Sequence, residues 1–143
     1  MNQDAYMEIP SLPYQPKHVI DIAEEARYSG IKEILGRWGI WAREQPRIGY
    51  PKKSAGMEQN PNTESIDPCS DDDAKVIEVP MLNLMKNNPD EYDVLFARYV
   101  VGASVPKIAA YLSESKSTIE KRLAKGEFYV AGVLHGMESI FIA

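Results

Sequence analysis

The sequence predicts an all-α fold, a small helical domain with a C-terminal helix-turn-helix. Apolar residues recur at the spacing of one helical face in several segments, and residues that cap helices stand where these segments begin. Two of the segments are separated only by residues 113–115, the length of a helix-turn-helix turn. We expect about six helices, with an N-terminal tail and short helix over 1–30 and the main helical domain over 31–143.

The composition is that of a soluble protein with one core. The chain has 143 residues, of which 44% are apolar and 26% are charged. Its single cysteine, Cys69, excludes an internal disulfide and a Cys-rich zinc site. No apolar run is long enough to cross a bilayer, and the first residues lack the pattern of a signal peptide. We therefore expect a cytoplasmic protein that does not contact a membrane.

The first two helices are predicted from apolar spacing. The prolines of residues 1–16 predict an extended tail, and a helix follows over about 18–28. The next helix begins near Ile31 and carries Trp38 and Trp41 on its apolar face. This spacing favours a core role for both tryptophans over stacking on RNA bases. Glycines within the same helix indicate close packing against a neighbour.

A long loop and a third helix follow. Residues 45–70 are rich in Pro, Gly, Asn and Ser without helical periodicity, which predicts a loop. Ser70 is placed to cap a helix with residues 71–73, all aspartates, in its first turn, where acids interact favourably with the helix dipole. Consecutive helical residues point in different directions, so we expect no metal here and no cofactor. Pro80 predicts a kink or a break in this helix.

The C-terminal third contains three further helices. Asn88 and Pro89 predict a capped start, and Gly102 predicts the end of that helix. Its inner face is formed by Tyr92, Leu95, Phe96 and Tyr99. Ser104 then caps a short helix that ends at Leu112. Ser115 caps the last helix, expected to run from Lys116 to about Met137.

Residues 104–125 form the predicted helix-turn-helix. The first helix packs against the second through Ile108, Ala109 and Leu112. The second helix packs against the first through Ile119 and Leu123. The turn lacks the usual glycine, since Ser113 stands there. A plain helical hairpin with lysines on a solvated face is the alternative.

The charge distribution favours DNA binding in this segment. The chain has a net charge of −5, yet residues 98–126 carry six basic and two acidic residues, a balance of +4. The predicted base-contacting residues lie on the first two turns of the last helix: Ser115, Lys116, Ser117, Glu120 and Lys121. The predicted phosphate-contacting residues are Arg122, Lys125 and Lys107.

Three stretches of the sequence resemble the smaller Q-type late antitermination proteins of lambdoid phages and prophages. These are ILGRWGIWARE at 34–44, CSDDDAKVI at 69–77, and LNLMKNNPDEYDVLFARYVVGASVPKIAAYL…KRLAKGE at 82–127. The RWGxW, Cys-x-Asp-Asp-Asp, Lys-Asn-Asn and Tyr-Val-Val-Gly runs follow the family's order, and the similarity spans about 31–135.

The resemblance implies a transcription antitermination factor rather than an enzyme. Members of this family bind a double-stranded DNA element near the phage late promoter and load onto paused RNA polymerase that retains its primary sigma factor. They then narrow the RNA exit channel, so that terminator hairpins do not form in the nascent RNA. By this resemblance we expect a C-terminal helix-turn-helix similar to that of sigma factors. The resemblance also implies a protein of the bacterial host cytoplasm.

Two other function classes remain open from the sequence. One is a dimeric helix-turn-helix repressor that pairs through the apolar run of the last helix, residues 130–142. The other is a helical adaptor that does not bind DNA. A second basic patch is formed by Arg43, Arg47, Lys52 and Lys53. It is either part of a solvated loop or a contact with polymerase, DNA or emerging RNA. Cys69, His18 and His135 lie far apart in sequence, so we predict no catalytic residues.

Overall fold

Six α-helices and one π-helical segment make up nearly all of residues 11–45 and 67–142, the parts of the chain that this computed structural model describes. Their bounds, in chain order, are α1 Pro16–Tyr28, α2 Ile31–Arg43, α3 Asp71–Asn87, α4 Pro89–Phe96, the π-helical segment Ala97–Val101, α5 Val105–Leu112 and α6 Lys116–Ile142. The described residues contain no strand, which confirms the all-α prediction. In these ranges no helix combines the length and the apolar character needed to span a membrane.

Helix α1 begins two residues earlier than the spacing predicts. Pro16, assigned to the tail by the sequence, is its first residue, where a proline's missing N–H costs no hydrogen bond. Val19 and Ile22 are almost fully buried in the same core as the later helices. Gly30, with a φ of 92°, separates α1 from α2.

Helix α2 lies against the π-helical segment. A Cβ at Gly39 would lie 1.8 Å from the carbonyl oxygen of Tyr99, so only glycine permits this approach. The close packing predicted for this helix is thereby confirmed. Trp38 and Trp41 are 5% and 7% exposed, which confirms their core role.

Helix α3 begins as predicted and continues through its proline. The hydroxyl of Ser70 accepts a hydrogen bond from the amide of Asp73. Asp71 accepts a 2.7 Å hydrogen bond from the indole N–H of Trp41, so the first turn is tied to α2. Of the kink or break predicted at Pro80, the break is wrong, because the helix runs on to Asn87 with Pro80 buried in the core.

Helix α4 starts at Pro89 as predicted, but the Asn88 side chain makes no capping hydrogen bond. The helix then widens into the π-helical segment, which the sequence analysis did not predict. Gly102 ends that segment in the left-handed conformation, with a φ of 84°. The predicted stop at this glycine is therefore confirmed.

Helix α6 is the longest helix and packs against α1, α3, α4 and α5. It extends five residues beyond the predicted end at Met137. Val130, Leu134 and Met137 contribute its buried face. The core thus packs against one face of the second half of α6, and the first half packs against α5.

Candidate nucleic-acid interface

The turn between α5 and α6 is held by two backbone hydrogen bonds. Ser113 lies in the left-handed region, with φ 55° and ψ 42°. Its amide donates to the carbonyl of Ala110, and the amide of Glu114 donates to Ala109. This is the Schellman arrangement, in which glycine normally occupies the position of Ser113.

Ser115 begins α6 with a side-chain cap, as predicted. Its hydroxyl accepts from the amide of Thr118 at 3.1 Å and lies 2.8 Å from the Thr118 hydroxyl. Capping satisfies one of the free amides of the first turn. The Ser115 hydroxyl, predicted to contact bases, is therefore already engaged in positioning the helix.

The inner face of the α5–α6 pair is buried at four of its five predicted positions. Ile108 and Ile119 are fully buried, and Ala109 and Leu123 are each 8% exposed. Leu112 is 37% exposed, so its predicted inner position is wrong. It is the last residue of α5, and the chain turns away at Ser113 before another helical turn can cover it.

The outer face of the first two turns of α6 is open to solvent. The side chains of Lys116, Ser117, Glu120 and Lys121 are all exposed. Lys107, on the first turn of α5, is exposed as well. Among the described residues, no acidic side chain lies within ion-pair distance of Lys107, Lys116 or Lys121. These three ammonium groups are available to an anionic partner.

The two remaining predicted cations have acidic neighbours. Arg122 lies 3.9 Å from Glu114, within the same helix pair. Lys125 lies 3.4 Å from Glu91 of α4. Both contacts are partly solvent-exposed and therefore weak. A DNA phosphate could replace Glu114 or Glu91 as the partner of these cations at little cost in free energy.

Two contacts in the middle of α6 fix the helix on the body of the protein. The hydroxyl of Tyr99 donates to Glu127, which is 6% exposed, and Lys32 lies 3.9 Å from the same carboxylate. Burial, together with the hydrogen bond to Glu127, raises the pKa of Tyr99 well above its usual range. One residue earlier, a Cβ at Gly126 would lie 2.3 Å from a methyl group of Leu95.

Sequence reasoning missed both of these positions. Glu127 follows Ile119 and Leu123 at four-residue spacing, so it continues the apolar stripe of α6. A charged residue on a buried stripe requires a partner, and this was the available signal.

The second predicted basic patch is only partly described. Arg43 is half-buried, and its Nε donates to the carbonyl of Val100 at 2.9 Å. It therefore holds the π-helical segment to α2. Arg47, Lys52 and Lys53 lie outside the described residues, as does most of the predicted 45–70 loop.

Cys69, His18 and His135 are the side chains that the sequence offers as a nucleophile and bases. The pKa of Cys69 is raised to about 12, mainly because the thiol is partly removed from water and secondly because the negative charge of Asp73 lies nearby. A reactive cysteine requires the opposite shift. His18 lies 3.6 Å from Asp72 and 3.5 Å from Asp73, and His135 lies 3.9 Å from Glu138.

Comparison with known proteins identifies the family. A profile of the family described as phage antitermination protein Q matches residues 28–140. The prophage antitermination protein Q homolog QuuD of Escherichia coli strain K12 is 34% identical over 111 residues, which cover 76% of this chain and 87% of the relative. Antitermination protein Q of Escherichia phage 933W is 35% identical over 107 residues, covering 73% of this chain and 74% of the relative. No solved structure shows significant similarity to the chain.

The family profile spans α2 to α6 and therefore includes the α5–α6 pair with its exposed lysines. The resemblance expected from the RWGxW, Cys-x-Asp-Asp-Asp, Lys-Asn-Asn and Tyr-Val-Val-Gly runs is confirmed. The chain belongs to the phage antitermination protein Q family.

Proposed function

We propose that this protein is a phage late-gene antitermination factor that reads DNA through α5 and α6. The observation that carries the proposal is the exposed, unpaired state of Lys116 and Lys121 among the described residues. Both project from the first two turns of a helix that follows a three-residue turn, the part of a helix-turn-helix that reaches base edges. The names of the relatives supply the transcriptional role.

Different side chains have different tasks in this proposal. Lys116 and Lys121 donate to guanine, and Glu120 accepts from the amino group of cytosine. The hydroxyl of Ser117 hydrogen-bonds to either guanine or cytosine. Arg122 and Lys125 exchange their acidic neighbours for DNA phosphates, which fix the register of the helix without reading sequence.

The proposed mechanism needs no catalysis. Bound near the late promoter, the protein transfers to paused RNA polymerase that retains its primary sigma factor. There it extends and narrows the RNA exit channel. A hairpin stem is wider than a single strand, so a narrow channel prevents the terminator hairpin from folding while the nascent RNA passes. This sequence of steps follows from the family resemblance, including the likeness of the helix-turn-helix to that of sigma factors.

The dimeric repressor is less well supported, because its predicted interface is largely used within the monomer. Val130, Leu134 and Met137 are buried in the core. Ile140 of the same run is 73% exposed, so a repressor would pair through a smaller apolar surface than the sequence predicts.

In vitro transcription with purified holoenzyme tests the proposal. The template carries the late promoter beside this protein's gene and a downstream intrinsic terminator. Read-through that rises with added protein, and disappears when the promoter-proximal DNA is scrambled, is the expected result. Unchanged termination with reduced promoter output would instead establish a repressor. No effect on either would favour the adaptor that does not bind DNA.

A further inference from the structure

The cations of α6 that the proposed function assigns to DNA differ in their surroundings. Lys116 and Lys121, assigned to base edges, have no acidic side chain within ion-pair distance among the described residues. Arg122 and Lys125, assigned to phosphates, each have one. Within this helix the acidic neighbours therefore lie beside the contacts that carry no sequence information.

Glu91 of α4 is directed toward α6. Its carboxylate lies 3.4 Å from the ammonium of Lys125, and its side chain is 13% exposed. Asp90 and Asp93, the other acidic residues of α4, are both exposed. Asp90 already places a negative charge in the first turn, where acids interact favourably with the helix dipole. The dipole therefore does not explain why Glu91 is turned toward α6.

Glu114 is held beside Arg122 by the turn between α5 and α6. The two charged groups lie 3.9 Å apart, and 38% and 26% of the respective side chains are exposed. The amide of Glu114 donates to the carbonyl of Ala109, which fixes the backbone at this position. The two carboxylates thus belong to α4 and to the turn, so a partner that binds α6 does not carry them away.

Both carboxylates compete with DNA for the cations of α6. A phosphate that binds Arg122 or Lys125 replaces an intramolecular partner whose backbone remains beside the cation. The phosphate also brings its own negative charge close to the carboxylate, which is repulsive. Partly exposed ion pairs contribute little, so each carboxylate is expected to lower the affinity for DNA only about 1.5- to 5-fold. Because every duplex carries the same phosphates, the reduction is the same for all sequences.

We propose that Glu91 and Glu114 limit the affinity of the protein for the DNA backbone while leaving its sequence preference unchanged. This inference rests on the proposed binding of DNA by α5 and α6. Genomic DNA offers a large excess of non-specific sites. Limited affinity for the backbone leaves more of the protein free of these sites, and so available to polymerase.

Binding of the full chain to the promoter-proximal duplex and to a scrambled duplex, measured across a salt series, tests the proposal. Glu91→Gln and Glu114→Gln should each raise the affinity for both duplexes about 1.5- to 5-fold. Each should also steepen the dependence of log affinity on log salt concentration by up to about 1, because the cation no longer exchanges one anionic partner for another. The ratio of the affinities for the two duplexes should stay the same.

Asp72→Asn is the matched control, because it removes the same charge at the end of α3 that is remote from α4. The Asp72 side chain is 61% exposed. About 22 Å of helix separate it from Asn87, where α3 leads into α4. This separation exceeds the Debye length of about 8–10 Å at ordinary salt concentrations. The control should therefore change DNA affinity and salt dependence less than either glutamate variant.

A gain in affinity does not arise from a damaged fold, because a displaced reading helix binds DNA more weakly. Unchanged affinity in both glutamate variants would overturn the proposal, as would a gain for one duplex alone or an equal gain in Asp72→Asn. A gain for both duplexes in a protein that shows no sequence preference would support this inference and contradict the proposed reading of bases by α6. Wild-type protein that binds neither duplex would overturn the proposed function, and this inference with it.

Discussion

The hydroxyl of Tyr99 donates a 2.5 Å hydrogen bond to Glu127 Oε2, and this bond ties the π-helical segment to the middle of α6. The segment itself is held by α2, where Gly39 admits the Tyr99 carbonyl and Arg43 donates to Val100. The orientation of α6 is therefore set by residues far from its exposed lysines. This linkage connects the stability of the core to the placement of the proposed reading turns.

Tyr99→Phe should lower the free energy of unfolding by about 1.5–3 kcal/mol, because it removes a hydrogen bond to a buried carboxylate. Urea denaturation should show a lower midpoint with an unchanged slope. Tyr129→Phe, at a half-buried tyrosine further along α6, controls for the loss of a phenolic hydroxyl. Equal effects of the two substitutions would show that the Glu127 contact contributes nothing specific.

Gly39→Ala should be strongly destabilising, by at least about 3 kcal/mol, because the new methyl group would overlap the Tyr99 carbonyl and force α2 away from the π-helical segment. Gly132→Ala is the matched control, since its methyl group meets open space. That control should stabilise the monomer by about 0.5–1 kcal/mol. Thermal unfolding at low protein concentration measures the stability changes of both variants. A Gly39→Ala variant as stable as the wild type would contradict the close approach of Gly39 to the Tyr99 carbonyl.

Ser113→Gly should stabilise the protein by roughly 1 kcal/mol, because Ser113 has a φ of 55°, where a side chain is strained. Ser113→Ala keeps the Cβ and should bring no such gain. Chemical denaturation of the two variants compares them directly. A gain for alanine equal to that for glycine would mean that the left-handed turn is not the source of the strain.

Cys69 should be a poorly reactive thiol. With its pKa raised from 9.0 to about 12, the thiolate fraction at pH 8 is small. Alkylation of the folded protein by iodoacetamide should be slower than that of the urea-unfolded chain, on the order of 100-fold or more. Similar rates in the two states would contradict the raised pKa of Cys69.

The raised pKa of Cys69 makes the folded protein less stable at high pH. A folded-state pKa above the unfolded value means that the neutral thiol stabilises the protein fully below about pH 9. That contribution is lost as the pH rises toward 12. Cys69→Ala should make the free energy of unfolding less dependent on pH in this window, and an unchanged dependence would argue against a raised pKa for this half-buried thiol.

Local sequence signals predicted most of the helices. Ser70, Ser104 and Ser115 each cap a helix as expected, and Gly102 ends the π-helical segment. These features depend on a few neighbouring residues, so they can be predicted from the local sequence. The exposed lysines of α6 were predictable for the same reason, because their direction follows from the buried positions of Ile119 and Leu123.

Features that depend on distant residues were not predictable. Pro80 continues a helix because the tertiary structure buries that face, although proline alone favours a break. The exposure of Leu112 depends on where α5 ends, since the chain turns away at Ser113 directly after it. Likewise, no local pattern pairs Tyr99 with Glu127, which lie 28 residues apart.

The most direct test of the central claim is the affinity of the protein for promoter-proximal duplex DNA and for a scrambled duplex, measured across a salt series. Lys116→Ala combined with Lys121→Ala should reduce the preference for the specific duplex about 10-fold or more per residue. Arg122→Ala should weaken binding to both duplexes alike, with a smaller salt dependence. Lys17→Ala combined with Lys75→Ala removes two exposed lysines from α1 and α3 and should change neither quantity. An unchanged preference in the Lys116 and Lys121 variant would contradict the assignment of α6 as the reading helix.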